Sequence, residues 1–375
     1  MKKKIVHVIS SLKRGGAESL LIDLINALPH YEHVVIYFHD GFNRKRLDSM
    51  GIRSYRVAGL ISNFDPLFCL RFYRLLFTLK PDVIHASLWA ANFLTRIYAA
   101  LFRVPCVQVI HLGVNCDGAV RNMLDKISFF MAQEVVAVSD GVYQSLAEKK
   151  FFGARQVQVI SNGVNCAHIR AEAQRAAITR AQLAIDESYF VIGSVGRLIP
   201  RKNYQFLLHV FAALIKKNPK MHLVIVGFGP EECALKLLAD RLGIAEAVSF
   251  VGEQTAFGYF PLFDCFVLPS LQEGMSIALL EAFCFALPCV ITHEDNAHEV
   301  IVSGLNGILV SAQQEQLCNA LQMLIDDPLL RNALGVQAYK TVIEQFSIER
   351  MARSYDALFS KKLGDQGPRA MPVRH

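Results

Sequence analysis

Short apolar runs alternate with longer amphipathic stretches along almost the whole chain of 375 residues. The runs are rich in Val and Ile and a few residues long, which predicts buried β-strands, and the stretches between them have helical spacing. Near-continuous apolar strands separated by helices are typical of βαβ units, and therefore of a parallel sheet covered on both faces. Strands are predicted at 5–9, 34–38, 83–85, 107–111, 135–138, 157–160, 190–195, 223–226, 248–251, 266–268 and 290–292.

The alternation is interrupted by an Ala- and Arg-rich stretch, 165–186, that has no strand pattern. A chain of this length exceeds what one hydrophobic core usually organises. We therefore predict an α/β protein of two Rossmann-like domains with a cleft between them, at residues 1–168 and 169–345. Residues 346–375 are predicted to form a last helix, over 347–363, that packs back on the first domain, followed by a disordered tail.

Composition excludes several classes of protein. More than half of the residues, 53%, are apolar, which argues against disorder, but Arg96 and Arg103 divide the richest stretch, so no membrane span is predicted. The opening segment has a charged start but no small-residue cleavage site, and is predicted to be a strand rather than a signal peptide. The nine cysteines, among them Cys284 and Cys289, include no CxxC pair. We expect reduced core cysteines and a cytoplasmic location.

Charge is divided unequally along the chain. Residues 1–180 hold 23 Lys and Arg against 13 Asp and Glu, a net +10, whereas residues 181–375 hold 16 against 20, a net −4. This asymmetry indicates an anionic partner for the first half: lipid headgroups, a phosphorylated acceptor or nucleic acid. Nucleic acid is disfavoured because no binding motif accompanies the charge. Basic and apolar residues coexist at 43–56 and 66–80, which fits peripheral docking on the inner face of the cytoplasmic membrane and fits core helices with solvated arginine tips equally well.

Loops that follow strands should carry the function, because strand ends line the ligand crevice of doubly wound sheets. Gly15 and Gly16 follow the first strand and open a helix whose N–H groups could face a phosphate or sugar, or they form a simple tight turn. His111 ends a strand at the predicted cleft, where it could donate to a hydroxyl, or it is structural. Arg197 and Lys202 flank a strand-to-helix loop, where fixed cations could hold a departing nucleoside diphosphate, or they belong to a solvated basic turn.

The most specific segment lies between Glu273 and Glu281, two carboxylates eight residues apart that follow a predicted strand. With a helix that begins near Met275, Glu281 lies roughly 10 Å further along the axis, so the two carboxylates cannot form an acid–base pair. Their separation favours binding of hydroxyls at the two ends of one extended ligand. The N–H groups of Gly274, Met275 and Ser276 would face the phosphate or sugar between them. The alternative is an acidic cap followed by an exposed glutamate.

In this order the motifs resemble those of the retaining glycosyltransferases of family four, which have the GT-B fold of two facing Rossmann-like domains. The match runs nearly end to end, although Ser161 stands where proline is usual. The resemblance rests on short strand-end motifs: 15–18, His111, 138–139, 160–165, Gly196-Arg197 with Lys202, 227–229, the segment 273–281, and 296–299 with Gly304, Asn306 and Gly307.

The resemblance implies that the second domain binds a UDP- or GDP-linked sugar. Arg197 and Lys202 would hold its diphosphate, and Glu281 its ribose hydroxyls. Glu273 would hold the hexose together with the amides of 274–276. From the first domain, His111 would contact the donor sugar, and the Gly15-Gly16 pair would support the phosphates, so that the site is complete only on closure.

The implied reaction is hexose transfer with retention of configuration to a saccharide or lipid-linked acceptor, in bacterial cell-surface polysaccharide or lipopolysaccharide biosynthesis. The leaving phosphate would help to deprotonate the acceptor, and no metal or other cofactor is expected because the chain has neither a DxD nor an HExxH motif. A nucleotide-sugar epimerase of the same fold and a non-catalytic scaffold subunit are the alternatives. The presence of Arg197, Lys202, Glu273 and Glu281 together argues against the scaffold.

Overall fold

A computed structural model describes residues 2–59, 66–112, 119–148, 157–292 and 299–364 of the protein. Residues 296–298, part of the motif set, and the predicted tail beyond residue 364 lie outside these ranges. The chain divides into two compact units. Unit 1 comprises Met1–Gly163 and Ile348–His375, and unit 2 comprises Val164–Ser347.

Unit 1 is built on a seven-stranded parallel sheet. Its elements in chain order are β1 (Lys4–Ser11), α1 (Gly16–Ala27), β2 (Glu32–His39), α2 (Asn43–Ser49), β3 (Arg53–Arg56), α3 (Pro66–Leu79), β4 (Val83–Ser87), α4 (Trp89–Phe102), β5 (Cys106–Ile110), α5 (Ala119–Ser128), β6 (Glu134–Ala137), α6 (Asp140–Glu148) and β7 (Val157–Val159). The strand order is β3-β2-β1-β4-β5-β6-β7. All six strands predicted for this part of the chain are confirmed. The additional strand β3, with the sequence RSYR, has no apolar run, and its side chains are exposed or half-buried.

Alternate side chains of the strands in unit 1 supply two cores, one on each face of the sheet. Val6 and Val8 of β1 pack with Phe68 and Phe72 of α3, whereas Ile9 packs with the helix α1 on the opposite face. Strands buried on both faces explain why the runs read as continuously apolar rather than alternating. Among the described helices of the chain, none is both long and apolar enough to span a bilayer.

The C-terminal helix α13 (Ile348–Gly364) belongs to unit 1. Asp356 accepts a hydrogen bond of 2.7 Å from the hydroxyl of Tyr31, and Lys362 Nζ donates to the buried carboxylate of Glu134 at 2.7 Å. Two aromatic rings of α13, Tyr355 and Phe359, pack edge-on against His85 of β4.

A chain of hydrogen-bonded histidines crosses the sheet of unit 1. His33 Nε2 donates to Leu28 O at 2.7 Å, so its Nδ1 must accept from His7 Nε2 at 2.9 Å. His7 Nδ1 must then accept from His85 Nδ1 at 3.0 Å. In this order of donors each of the three histidine rings is neutral and carries its proton on one defined nitrogen. Burial lowers the pKa of His85 to about 3, with further lowering by His111 and His33, and lowers that of His7 well below its usual value.

We expect unit 1 to lose stability in mild acid. Histidines with lowered pKa values contribute stability that is complete above the unfolded value of 6.5 and is lost as the pH falls towards the folded values. The free energy of unfolding should fall by up to about 1.4 kcal/mol per pH unit for each such histidine between pH 6.5 and 5. Urea denaturation at pH 7.5, 6.5 and 5.5 measures this slope. His85→Gln should flatten it and the exposed His209→Gln should not, whereas a pH-independent midpoint would contradict the prediction.

Unit 2 is built on a six-stranded parallel sheet. Its elements in chain order are α7 (Cys166–Arg175), β8 (Phe190–Val195), α8 (Tyr204–Ile215), β9 (Met221–Val226), α9 (Glu232–Arg241), β10 (Val248–Phe250), β11 (Cys265–Leu268), α10 (Ile277–Cys284), β12 (Cys289–Thr292), β13 (Ile308–Val310), α11 (Gln314–Asp326) and α12 (Pro328–Gln345). The strand order is β10-β9-β8-β11-β12-β13. The five strands predicted here are confirmed. The edge strand β13 was not predicted.

A disulfide joins Cys166, at the start of α7, to Cys284, at the end of α10. The prediction that Cys284 is a reduced core cysteine is therefore wrong. The two residues are 118 apart in sequence, and their juxtaposition depends on the packing of α7 against α10, which no local spacing reveals. Of the other cysteines, those at 69, 106, 233, 265, 289 and 318 are free.

Loss of this disulfide should destabilise unit 2. A cross-link that closes a long loop restricts the unfolded chain, and its removal typically costs about 2–4 kcal/mol. Thermal unfolding of the double variant Cys166→Ser/Cys284→Ser should show a lowered Tm that reductant does not lower further, whereas reductant should lower the Tm of the wild type. Cys233→Ser, at an exposed free cysteine, is the matched control. A wild type indifferent to reductant would show that the bond does not stabilise the fold.

Candidate functional site

The strand order of unit 2 reverses between β8 and β11, which are hydrogen-bonded neighbours. At such a switch point the loops that follow the two strands diverge and leave a crevice at the carboxyl edge of the sheet. The loop after β8 carries Arg197 and Lys202, and the loop after β11 carries Glu273. Three of the predicted site residues therefore lie at the place where an open α/β sheet binds ligands.

The loop after β8 is shaped to accommodate the side chain of Lys202. Pro200–Lys202 forms one 3-10 turn, ended by Asn203 in the left-handed conformation with φ of 56°. A Cβ on Gly196 would lie 3.2 Å from Lys202 Cε and 2.9 Å from the hydroxyl of Tyr204, so a glycine leaves the room that the lysine uses. Lys202 is 9% exposed, whereas the side chain of Arg197 is exposed.

Hydrogen bonds join the two loops. Leu271 N donates to Arg201 O at 2.8 Å, which holds the 3-10 turn beside the loop after β11. Lys202 Nζ donates to Glu273 Oε1, and Ser270 Oγ donates to the same oxygen at 2.9 Å. The sequence led us to compare Glu273 with Glu281 only. The structure shows instead that Glu273 pairs with Lys202, so a cation and an anion share the edge of the crevice.

The helix α10 begins at Ile277, two residues later than predicted. Ser276 is its N-cap, and Ser276 Oγ accepts from Leu279 N at 3.4 Å. Glu281 is thus the fifth helical residue, roughly 6 Å along the axis from the first, and it is half-buried. The residues before the helix line a concavity together with polar groups from the neighbouring loops: Ser270, Glu273, Gly274, Met275, Ser276 and Thr292.

The Gly227-Phe228-Gly229 loop after β9 supports the loop after β8. A Cβ on Gly227 would collide with Gly196 O, and one on Gly229 would collide with Leu198 O. Leu198 N donates to Phe228 O at 2.9 Å. The two glycines are therefore explained by close backbone packing that holds the Lys202 loop.

In unit 1 the predicted residues lie after β1 and β5. The helix α1 starts at Gly16 with Gly15 as its N-cap, as expected, but Glu18 is buried in the first turn, and a Cβ on Gly15 would collide with Glu18 Oε2. A carboxylate thus lies at the helix N-terminus that we predicted to face an anion. His111 follows β5, and its Nε2 is buried with no hydrogen-bond partner among the described residues. Burial lowers the pKa of His111 to about 4, so the ring is neutral at pH 7.

Sequence reasoning missed three residues that organise the site. Ser270 binds Glu273, and Thr292 Oγ1 donates to Ser270 O at 2.8 Å, which ties the end of β12 to this loop. Tyr204 is fully buried beside Gly196, and burial raises the pKa of its hydroxyl. A serine three residues before a loop carboxylate was a usable signal for Ser270. The contact between Thr292 and Ser270 joins segments 22 residues apart, and the contact between Tyr204 and Gly196 depends on the turn of the loop after β8.

The two parallel-sheet units have the GT-B fold, and both halves of the chain match glycosyltransferase families. Residues 176–341 match the model of the group 1 glycosyl transferases, and residues 14–168 match the model of glycosyltransferase family 4. The chain belongs to these group 1, family 4 glycosyltransferases. The resemblance drawn from its motifs is confirmed, as is its assignment to the EC 2.4 class of enzymes.

Individual proteins resemble the chain along nearly its full length. The lipopolysaccharide core biosynthesis glycosyltransferase LpsE of Rhizobium meliloti is 26% identical over 356 residues, which cover 93% of this chain and 97% of LpsE. The UDP-Gal:alpha-D-GlcNAc-diphosphoundecaprenol alpha-1,3-galactosyltransferase of Escherichia coli is 25% identical, covering 92% of this chain and 94% of that enzyme. The crystal structure of Anabaena HepE in complex with UDP and glucose superposes with a TM-score of 0.85 at 21% identity, over 96% of this chain and 100% of HepE.

Proposed function

We propose that the protein transfers a hexose from a nucleotide-diphosphate sugar, UDP- or GDP-linked, to a saccharide or lipid-linked acceptor in the synthesis of a bacterial cell-surface polysaccharide or lipopolysaccharide. The names of its relatives support this: LpsE is a lipopolysaccharide core enzyme, and the Escherichia coli enzyme pairs UDP-galactose with a diphosphoundecaprenol-linked sugar. The HepE structure, which has the same fold, contains UDP and glucose.

The ion pair between Lys202 and Glu273 carries the proposal. Lys202 Nζ is an almost buried cation at the switch point of the sheet, and it pairs with the carboxylate of Glu273. A donor diphosphate would replace Glu273 as the partner of Lys202, because phosphate oxygens are strong acceptors of charge-assisted hydrogen bonds. Glu273, still held by Ser270, would then accept hydrogen bonds from hexose hydroxyls. Through this exchange, Lys202 would bind the diphosphate and Glu273 would bind the hexose.

The exposed Arg197 would add a second cation to the leaving diphosphate, whose negative charge grows as the anomeric C–O bond breaks. The half-buried Glu281 would accept from the ribose hydroxyls. We propose retention of the anomeric configuration: the acceptor oxygen attacks the anomeric carbon from the face that the phosphate leaves, and the acceptor proton passes to a phosphate oxygen. The chain has no DxD motif to bind a metal ion. In this proposal the cations of Arg197 and Lys202 neutralise the leaving diphosphate instead.

Screening UDP- and GDP-sugars for slow donor hydrolysis and for thermal protection tests the proposal. The wild type should respond to at least one donor, with and without EDTA, and the product formed with an added acceptor should keep the donor's anomeric configuration by NMR. Lys202→Ala and Glu281→Ala should abolish or weaken both responses. A wild type that responds to no donor would contradict donor binding. Inhibition by EDTA or an inverted product would contradict the proposed mechanism alone.

A further inference from the structure

The helix α3 of unit 1 has two apolar faces. Phe68 and Phe72 point into the core and are completely buried. On the opposite side, Leu67, Leu70 and Phe77 are 60–68% exposed. A surface helix normally presents polar side chains on the face turned away from the core, so this second apolar face needs an explanation.

The helix α5 repeats the arrangement. Val120, Met123, Ile127 and Phe130 follow one another at spacings of three and four residues and are 57–67% exposed, whereas Leu124 between them is buried. Phe130 lies in the 3-10 turn Phe129–Met131 that continues the helix. The exposed residues form one apolar stripe along the outside of the element.

The helix α4 lies between these two and connects their surfaces. The ring of Phe77 in α3 contacts that of Phe102 in α4 at a centroid distance of 6.2 Å, and Leu101 beside it is also exposed. On the other side, Arg96 Nη1 of α4 donates to Asp125 Oδ1 of α5 at 2.9 Å, and Arg96 is 1% exposed. We call the outer side of α3, α4 and α5 the α3–α5 face. It holds nine of the 19 exposed large apolar side chains found among the described residues.

Among the described residues of α3, α4 and α5, the exposed charged side chains are basic. Asp125 is the one acidic residue in the sequences of these three helices, and it is occupied by Arg96 and by the indole N–H of Trp89. Exposed basic residues lie in the helices or directly after them: Arg71, Arg74, Lys80, Arg103, Arg121 and Lys126.

We infer that the α3–α5 face docks on an anionic membrane surface. Apolar side chains that enter the headgroup region, ringed by Lys and Arg that pair with anionic lipids, are the combination that binds an interface without spanning it. A second copy of the chain fits less well, because a symmetric contact would bring six like charges per copy together. Docking itself does not depend on the donor site. Its use, to meet a lipid-linked acceptor, rests on the proposed function.

The structure also revises the membrane hypothesis drawn from the sequence. Segment 43–56 folds into α2 and β3, where Arg44 pairs with Asp40 and Arg46 with Asp23, so its charges are partly neutralised. Within 66–80, Phe68 and Phe72 belong to the core. The sequence did not predict the apolar stripe on α5. The spacing of its exposed residues is recognised only when the buried Leu124 is known to face the other way.

Flotation with vesicles tests the inference on the full chain. Vesicles of phosphatidylcholine with about one-third phosphatidylglycerol should carry the wild type upward at low salt, and pure phosphatidylcholine much less; salt near 0.5 M should reverse binding. Each basic residue near an anionic surface contributes about fivefold to partitioning of the protein onto the vesicles. Arg71→Glu/Arg74→Glu should therefore lower this partitioning by more than about 25-fold. Ile127→Asp/Phe130→Asp should lower it at least as much. Leu329→Asp, at an apolar side chain of unit 2 that is 82% exposed, is the matched control.

Each outcome decides for or against docking. If the wild type does not float with the anionic vesicles at low salt, the inference is overturned. Equal losses for Leu329→Asp and Ile127→Asp/Phe130→Asp would also overturn it, as would a dimer in sedimentation that Ile127→Asp/Phe130→Asp dissolves while vesicle binding is unchanged. Thermal protection by the donor, measured on the same variants without vesicles, should match the wild type, because no predicted donor residue lies on this face. Failure of docking is thus distinguished from failure of donor binding.

Discussion

Replacement of Lys202 by alanine is expected to lower kcat for sugar transfer by about 10²–10³-fold, as does the loss of one preorganised group that stabilises developing charge. Lys202 is an almost buried cation at the switch point of unit 2, where Gly196 leaves room for its side chain and Glu273 pairs with it. The charge of the leaving diphosphate rises towards the transition state, so the loss should fall on kcat more than on the donor KM. Initial rates at varied donor concentration measure both constants. Lys220→Ala, at an exposed lysine of the same unit, should be unchanged.

A structural role for Lys202 can be separated from this chemical one. Lys202→Ala also breaks the ion pair with Glu273, whose side chain is 16% exposed, and the loss of this pair would itself disturb the loop. The double variant Lys202→Ala/Glu273→Gln removes the charge of Glu273 as well. If Lys202 served only to hold Glu273, the double variant would be no slower than Glu273→Gln alone. We expect it to be slower by at least tenfold, and thermal unfolding should show that each variant remains folded.

Replacement of Glu281 by alanine is expected to weaken nucleotide binding by about 10–100-fold, with little change in kcat. One or two hydrogen bonds to a charged acceptor contribute about 1.5–3 kcal/mol, and every 1.4 kcal/mol is tenfold in affinity. The ribose is remote from the bond that breaks, so the loss should be equal in the ground and transition states. Calorimetric titration with the nucleoside diphosphate gives the affinity directly. Glu315→Ala, at an exposed glutamate of α11, is the control.

A deoxyribose analogue sharpens the assignment of Glu281. If its carboxylate accepts from the ribose hydroxyls, the wild type should bind the 2′-deoxy nucleotide more weakly than the ribonucleotide, whereas Glu281→Ala should bind the two alike. Equal discrimination by both proteins would place the contact to the ribose elsewhere.

Most of the eleven predicted strands have side chains that are buried on both faces of a sheet and therefore form apolar runs. The edge strand β3, with the sequence RSYR, was not predicted because it has no such run, and the short edge strand β13 was not predicted either. The order of the motifs identified the family, because each follows a strand end. The start of α10 was predicted two residues early, because a Gly-Met-Ser segment reads as helix or loop until Ser276 is seen to cap Leu279.

What the sequence by itself determined was the class of fold and the family, and it supplied the candidate residues of a donor site, because strand periodicity and strand-end chemistry are local properties of the chain. Tertiary structure alone decided the partners. It paired Glu273, first compared with Glu281, with Lys202, and it joined Cys166 to Cys284. It also separated the buried from the exposed apolar residues of α3 and α5. These facts depend on which distant segments come into contact, and side-chain contacts across a sheet edge or between helices leave no period in the sequence.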